Sequence, residues 1–197
     1  WYKSNGAWSG GGSKNVQLLD ATVANNRWFY LARQNGNGKL SFNLTDNANN
    51  DFQVTTANNS FLANTWVHIG VTWKLTPVAA NNRLQIFING ALSQSVAVGT
   101  TQPLSTAIGS LFVGDNRSAF VTNPGTGNSA DGVIDEVRLY NSEVTNAVIL
   151  RDYNAARVCA PAAAVPAGFN AFESSTAAGS VTGMIKTNIP SRIAFQV

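Results

Sequence analysis

ADGVIDEVRLYN, the stretch from Ala130 to Asn141, decides the fold prediction for this chain. Within it, residues 132–140 have the mixed apolar and polar pattern of a short β-strand that closes on an aromatic residue. This predicted strand carries two adjacent carboxylates, Asp135 and Glu136. Because consecutive strand residues point to opposite faces of a sheet, we expect these two carboxylates to lie on opposite faces.

A short helix is predicted directly after this strand. Thr145 suits the N-cap position, and Val144 and Ile149 stand at the N′ and N4 positions of a hydrophobic staple. Ile149 and Tyr153 lie one turn apart on the same helix face. The helix is expected to end near Asn154.

Upstream, the sequence predicts short strands that are separated by turns rich in Gly and Asn. Asn89-Gly90 is the strongest hairpin signal, because both residue types accept positive φ at low cost. It joins predicted strands at 84–88 and 91–98. Further strands are predicted at 15–20, 28–33, 39–44, 65–73 and 111–114, and Trp1 lies in another strand-like run. The chain therefore reads as an all-β fold.

Composition narrows the functional class. The 197 residues suffice for one large β domain, or for one domain and a fragment. The chain is 44% hydrophobic and only 12% charged, a low charge content that is common in secreted β proteins. The net charge is +3, but the basic residues are scattered rather than clustered on one face, which argues against nucleic-acid binding. No stretch approaches the ~20 apolar residues of a membrane span, so we expect no membrane insertion of this segment.

The chain has one cysteine, Cys159, and one histidine, His68. Together they exclude an intrachain disulfide and a structural zinc site of the usual Cys/His kind. Cys159 is either an inert thiol or has a partner outside the chain. His68 lies between Val67 and Ile69 in a predicted strand, and we expect it to be structural.

Four segments carry a resemblance to a known family. Thr65–Trp73 (TWVHIGVTW), Leu84–Leu92 (LQIFINGAL) and Leu111–Asn116 (LFVGDN) resemble successive strands and turns of LamG-like domains, and Asp131–Asn141 is the most specific match. Residues 1–158 are thus similar to a LamG-like, concanavalin A-like jelly-roll domain whose opening strands are missing before Trp1. The resemblance implies an antiparallel β-sandwich of jelly-roll topology, with one short helix after its last strand.

The C-terminal part differs in composition. Residues 159–168 form an Ala/Pro-rich linker, and 169–197 are the truncated start of a second β-rich domain, too short to bury a core alone. Pro166–Ile193 resembles the domain that follows the LamG-like module in MshQ-type proteins of mannose-sensitive haemagglutinin pilus biogenesis. That resemblance implies an exported bacterial protein, extracellular or at the cell surface. Its expected partners are a glycan or a surface protein, including pilus subunits.

Concanavalin-type folds include glycoside hydrolases, which need two carboxylates about 5–5.5 Å or about 6.5–9.5 Å apart. The chain contains three glutamates (Glu136, Glu143 and Glu173) and no E-x-D-x-x-E string that would set carboxylates on one face of a strand. We therefore expect no enzymatic activity and no catalytic residues.

Calcium is the one cofactor that the sequence suggests. Asp115, Asn116, Asp131 and Asp135 are oxygen donors near a long loop, and Ca²⁺ prefers six to eight oxygen ligands. LamG-like relatives often hold calcium at variable positions, so these four residues are its candidate ligands. Asp135 could instead pair with Arg138 or cap a turn.

A ligand-binding surface of this kind usually combines exposed aromatic rings with Asn, Asp or Arg. Trp8 and Phe120 lie in loops rich in Gly, Ser and Asn, and are expected to be the exposed aromatics; Asn116 and Arg117 supply polar groups nearby. Simple loop packing is the alternative for both rings.

Three function classes remain. The leading hypothesis is a non-catalytic extracellular recognition or adhesion module that binds a glycan or a protein. The second is a structural or assembly domain that contacts pilin subunits, and the third is a glycoside hydrolase of concanavalin-like fold.

Overall fold

The computed structural model describes residues 1–8, 15–23, 27–34, 36–58, 60–115 and 129–157. The predicted linker at 159–168, the predicted second domain at 169–197 and Cys159 lie outside these residues. The described strands are β1 (Tyr2–Ser4), β2 (Val16–Asp20), β3 (Phe29–Arg33), β4 (Leu40–Thr45), β5 (Asp51–Thr55), β6 (Trp66–Val67), β7 (Ile69–Lys74), β8 (Arg83–Ile88), β9 (Ala91–Ala97), β10 (Phe112–Val113) and β11 (Gly132–Ile134). One α-helix, α1 (Asn146–Arg157), follows, and a single 3-10 turn (Ala79–Asn81) precedes β8.

The strands form two layers. One layer is a five-stranded antiparallel sheet of order β10-β2-β3-β4-β5. The other contains two three-stranded sheets, β11-β1-β6 and β7-β8-β9, which meet at His68 between β6 and β7. At this break the His68 amide donates to Asn89 Oδ1 (3.0 Å), and the Asn89 amide donates to the His68 carbonyl (2.9 Å). The predicted fold class, an antiparallel β-sandwich with one helix after its last strand, is confirmed.

The core lies between the layers. Leu40, Phe42 and Leu44 alternate along β4, and each side chain is at most 1% exposed. Phe42 and Phe29 from the five-stranded sheet both contact the ring of Trp73 on β7, with ring centroids 5.7 and 5.4 Å apart. These aromatic contacts join the two layers across the core.

The Asn89-Gly90 hairpin forms as predicted. Ile88 pairs with Ala91, which leaves a two-residue turn. Asn89 and Gly90 have φ of 52° and 80°, the positive values that a type I′ turn requires.

Helix α1 begins directly after Thr145, as predicted, and ends at Arg157 rather than near Asn154. Its buried residue Ile149 packs against Gly70 on β7, where a Cβ atom would stand 3.2 Å from Ile149 Cγ2. The absence of a side chain at Gly70 therefore lets the helix approach the sheet.

The predicted strand at 132–140 is wrong in its extent, because β11 ends at Ile134. Glu136 has a φ of 53°, which is incompatible with an extended strand. The expectation that strand geometry places Asp135 and Glu136 on opposite faces therefore does not apply to this pair.

Candidate functional site

The strand register of the five-stranded sheet assembles a row of polar and aromatic residues on the side away from the core. Tyr30 lies opposite Asp20 on one side and Asn43 on the other, and Asn43 lies opposite Gln53. Directly opposite residues share one face of a sheet, so these four side chains form one row across β2 to β5. We call this surface the outer face; its residues are Asp20, Trp28, Tyr30, Asn43, Asp51 and Gln53.

Trp28 forms a platform on the outer face. Its backbone continues the ladder with β4, since Thr45 N donates to the Trp28 carbonyl (2.9 Å) and Trp28 N donates to Thr45 Oγ1 (2.8 Å). Its indole Nε1 donates to Asp51 Oδ2 (3.2 Å) on β5. Because β4 lies between these residues, the indole ring must extend across β4, above Thr45. The Tyr30 ring meets the Trp28 ring edge-on, with centroids 6.1 Å apart.

Hydrogen bonds hold the polar side chains of the outer face in place. Thr45 Oγ1 donates to Asp51 Oδ1 (2.6 Å), so each oxygen of this carboxylate accepts one bond. Gln53 Nε2 donates to Asn43 Oδ1 (2.9 Å), and Asn43 Nδ2 donates to Ser41 Oγ (2.7 Å). Asp51 and Gln53 are exposed, Trp28 and Tyr30 are half-buried, and Asn43 is buried. A ligand would therefore meet a fixed surface rather than mobile side chains.

The electrostatics of the outer face are anionic. Burial, together with the nearby Asp20 and Asp51, raises the pKa of Tyr30, so its hydroxyl stays protonated at neutral pH. Asp20 is fully buried; its Oδ1 accepts the Thr22 amide (2.9 Å), and its Oδ2 accepts no hydrogen bond from the described residues.

The two carboxylates of the outer face are far apart. Asp20 lies on β2 and Asp51 on β5, three strand spacings away in the sheet order. At about 4.8 Å per spacing, their backbones are separated by roughly 14 Å. That distance exceeds both carboxylate separations of glycoside hydrolases.

A second polar cluster lies where the chain leaves β11 for α1. Arg138 pairs with Glu136 (2.5 Å) and with Asp152 (3.0 Å), and Asp152 also accepts bonds from Arg151 (3.0 Å) and from the Tyr140 hydroxyl. The charges of this cluster are thus satisfied within it. It borders a cavity of about 420 Å³, whose apolar walls include Leu18, Leu31, Phe42, Trp73 and Leu139.

His68 packs in the same region, as expected for a structural histidine. Its ring contacts Trp1 (centroids 5.2 Å apart) and Tyr153 (5.8 Å). Burial lowers the pKa of His68 to about 4, so the imidazole is neutral at pH 7.

The three candidate calcium ligands that the structure describes have protein partners. Asp115 Oδ1 accepts a bond from Ser129 (3.0 Å), Asp131 Oδ1 from Asn5 (2.8 Å), and Asp135 Oδ1 from the Glu136 amide (2.8 Å). Within the described ranges, no three His, Cys, Asp or Glu side chains gather in a way that could hold a metal ion. The described side chains do not by themselves fit a calcium site, and calcium binding stays a prediction. Calcium-dependent melting would support it, whereas a melting temperature unchanged by EDTA would contradict it.

The expectation that Trp8 is exposed is wrong. Trp8 is only 4% exposed and stacks between Tyr2 and Phe61 (centroids 5.3 and 4.5 Å away), with Arg33 over its ring. The glycine-rich sequence around Trp8 predicts an exposed loop, whereas the tryptophan side chain fills the end of the core. Asn116, Arg117 and Phe120 lie outside the described residues.

Sequence reasoning missed the residues of the outer face. The signal was present in the alternation of WFYLAR (28–33) and KLSFNL (39–44), because the positions that alternate with the core residues are aromatic or polar apart from Ala32. DFQVT at 51–55 alternates in the same way and forms β5, a strand absent from the sequence-based predictions. Without β5, neither Asp51 nor Gln53 could be placed beside Trp28 and Asn43.

Comparisons with known proteins bear on the family. A family model described as "Concanavalin A-like lectin/glucanases superfamily" matches residues 1–150. No curated protein matches the chain. One of the matching solved structures is a crystal structure of residues 221–444 of an S-layer domain-containing protein from Clostridium thermocellum, with 18% identity and a TM-score of 0.36. That alignment covers 72% of this chain and 64% of the other, which is less than two thirds of its length. In the part of the chain that the structure describes, no helix is long and apolar enough to span a membrane.

Proposed function

Because the chain belongs to the concanavalin A-like lectin/glucanase superfamily, we propose that it is a non-catalytic carbohydrate-recognition module of an extracellular or cell-surface bacterial protein. The observation that carries this proposal is the outer face, where the Trp28 indole bonds exposed Asp51 and exposed Gln53 follows two residues later on the same side of β5. An aromatic ring can cover the apolar face of a sugar while amide and carboxylate groups bind its hydroxyls. Specific sites commonly combine apolar contact area with a few well-placed polar groups.

The same face supports recognition over hydrolysis. Its two carboxylates, Asp20 and Asp51, stand too far apart to act as an acid and a nucleophile on one glycosidic bond. Asp51 is held by Trp28 and Thr45, a role that suits binding. Association with pili stays a prediction from the resemblance of the C-terminal segment.

A protein-assembly role, for example contact with pilin subunits, is the second candidate. It is favoured by the irregular segment after β11, where Leu139 is 70% exposed and Val137 is 46% exposed. Neighbouring exposed apolar side chains of this kind are typical of protein–protein contacts.

A paired substitution tests the glycan proposal. We expect the chain to bind immobilised polysaccharides saturably, and Trp28→Ala to weaken this binding about tenfold because the platform is removed, a factor that corresponds to about 1.4 kcal/mol. Trp66→Ala is the matched control: Trp66 is 37% exposed but lies on β6 in the opposite layer, under Lys3 Nζ (5.1 Å). Gln53→Ala provides a second variant at an exposed site. Absence of saturable binding, or equal losses in Trp28→Ala and Trp66→Ala, would contradict the proposal.

A further inference from the structure

The outer face offers hydrogen-bond acceptors in excess of donors. A carboxylate has about four acceptor positions, and Asp51 uses two of them for Thr45 and Trp28. Gln53 donates one amide N–H to Asn43, and within the described part of the chain its Oε1 receives no hydrogen bond. The Tyr30 hydroxyl, whose pKa is raised by burial and by Asp20 and Asp51, can both accept and donate a hydrogen bond. A ligand that supplies several O–H donors would satisfy these groups.

Charge restricts the ligand further. Besides burial, the negative charges of Asp20, at one end of the row, and of Asp51, two residues before Gln53 on β5, raise the pKa of Tyr30. Arg33 points to the other side of the sheet, where it contacts Ser4 Oγ (3.4 Å) and the Trp8 ring. Arg27, next to Trp28 in sequence, has a buried Nη1 without a hydrogen-bond partner among the described residues, and strand alternation directs its side chain to the side of the sheet opposite Trp28.

Lys39, a further cation beside the described strands β3 and β4, is too distant to offset these carboxylates. Lys39 alternates onto the outer side but stands at the β3–β4 turn, six residues along from Thr45, the partner of Asp51. At about 3.4 Å per residue this separation is roughly 20 Å. It is twice the screening length of about 8–10 Å at physiological salt. Lys39 therefore cannot neutralise an anionic ligand bound at Trp28.

Resting on the glycan-binding function proposed above, we infer that the ligand of the outer face is an uncharged polysaccharide rather than a uronic-acid, sulfated or phosphorylated one. Neutral sugars provide hydroxyl donors for Asp51 and Gln53 and carry no charge that Asp51 would repel. Trp28 lies directly before β3 and its indole reaches Asp51 on β5, so the stacking surface runs across the strands. We therefore expect the bound polysaccharide to run along the row from Tyr30 toward Gln53. The fixed side chains would lower the entropic cost of binding.

The test compares neutral and anionic probes on the whole chain. Affinity electrophoresis and calorimetry would use a soluble β-glucan and a galactomannan against alginate and polygalacturonate, each at low and high salt. We expect at least one neutral polymer to bind ten times more tightly than either polyuronate, with little dependence on salt. Asp51→Asn should narrow this preference several-fold, whereas Gln94→Lys, which adds the same charge at an exposed site on β9, should leave it unchanged.

The outcomes distinguish a failure of the neutral-ligand inference from a failure of the proposed glycan-binding function. If a polyuronate binds as tightly as the neutral polymers or more tightly, and Trp28→Ala abolishes this binding, the inference of a neutral ligand is wrong. The proposed glycan-binding function would still hold. Binding to none of the four polymers would overturn both. An Asp51→Asn variant with an undiminished preference for neutral chains would show that this carboxylate does not set the specificity.

Discussion

Gly132 lies opposite Ser4 where β11 pairs with β1. Its φ is 152°, and a Cβ atom at this position would stand 2.1 Å from the Lys3 carbonyl oxygen and 2.9 Å from Ser4 Cα. Both obstacles are backbone atoms, so no side-chain rotation can relieve the clash. This glycine lies in the stretch that decided the fold, and close strand pairing explains why a glycine is needed there.

We expect Gly132→Ala to lower the free energy of unfolding by about 2–4 kcal/mol, as for other substitutions that force backbone to move. Gly99→Ala is the control, because a Cβ at Gly99 would meet no atom within 4 Å. Urea denaturation of both variants would measure the difference. Equal stability of Gly132→Ala and the parent chain would mean that β1 and β11 are not paired in this register.

Asp46 links the β4–β5 turn to the segment after β9. It is fully buried; its Oδ1 accepts the amides of Ala48 and Asn50, and its Oδ2 accepts Asn50 Nδ2 (2.9 Å) and the Thr100 hydroxyl (2.5 Å). Burial alone would raise its pKa, but these hydrogen bonds outweigh burial and hold the pKa of Asp46 below its ordinary value of 3.8. The folded state therefore favours the ionised form.

A depressed carboxyl pKa contributes stability above the unfolded pKa, and this contribution is lost as the pH falls through the folded value. We expect Asp46→Asn to cost about 2 kcal/mol at pH 7, where the charged acceptor is replaced. The cost should shrink as the pH falls below 3.8, the ordinary value for this carboxyl. Asp135→Asn, at an exposed carboxylate, is the control and should change the free energy of unfolding at pH 7 by less than about 0.5 kcal/mol. A stability difference independent of pH would argue that Asp46 acts through shape alone.

At the scale of elements, local chemistry explains which predictions succeeded. The β8–β9 hairpin and the start of α1 depend on neighbouring residues, Asn89-Gly90 and Thr145, whose preferences are visible in the sequence. The end of β11 does not depend on neighbouring residues alone. Glu136 has a left-handed φ and forms an ion pair with Arg138, and Arg138 also binds Asp152 on the helix. Such long-range pairing is not encoded in strand periodicity.

Asn89 serves both its hairpin and the junction of the two sheets. Replacement by Ala would lose the acceptor for the His68 amide and put into the left-handed region a residue that tolerates it less well than Asn, together costing about 2 kcal/mol. Asn64→Ala is matched in conformation, since Asn64 has a φ of 55° and uses its backbone amide to bond Ser4. Chemical denaturation should show the larger loss for Asn89→Ala. Equal losses would mean that the side-chain bond to His68 contributes nothing.

For the whole molecule, the sequence predicted the architecture but not the surface that carries the proposed function. Alternation identifies which residues of one strand share a face, as in residues 28–33 and 39–44. Register determines which residues of different strands become neighbours, and a shift of one residue would separate Tyr30 from Asn43 and Gln53. The outer face is thus a property of the assembled sheet.

Both layers share one core, so the sandwich should unfold as a single unit. Phe42 is 1% exposed and contacts Phe29 in its own sheet (centroids 5.6 Å apart) and Trp73 in the opposite layer. Phe42→Ala should cost about 3–5 kcal/mol through lost contacts and the cavity that remains. With a shift of about 2–4 °C per kcal/mol for a domain of this size, Tm should fall by roughly 6–20 °C.

Leu62→Ala is the control for this substitution, because Leu62 is 71% exposed and its truncation should change the free energy of unfolding by less than about 0.5 kcal/mol. Tryptophan fluorescence, which includes Trp73 at the layer junction, and far-UV circular dichroism would follow the same thermal transition. Coincident curves in the parent and in Phe42→Ala are expected, since removing this ring weakens both layers together. Separate transitions would show that the five-stranded sheet keeps its structure without the opposite layer, and that Phe42 and Trp73 do not couple the two.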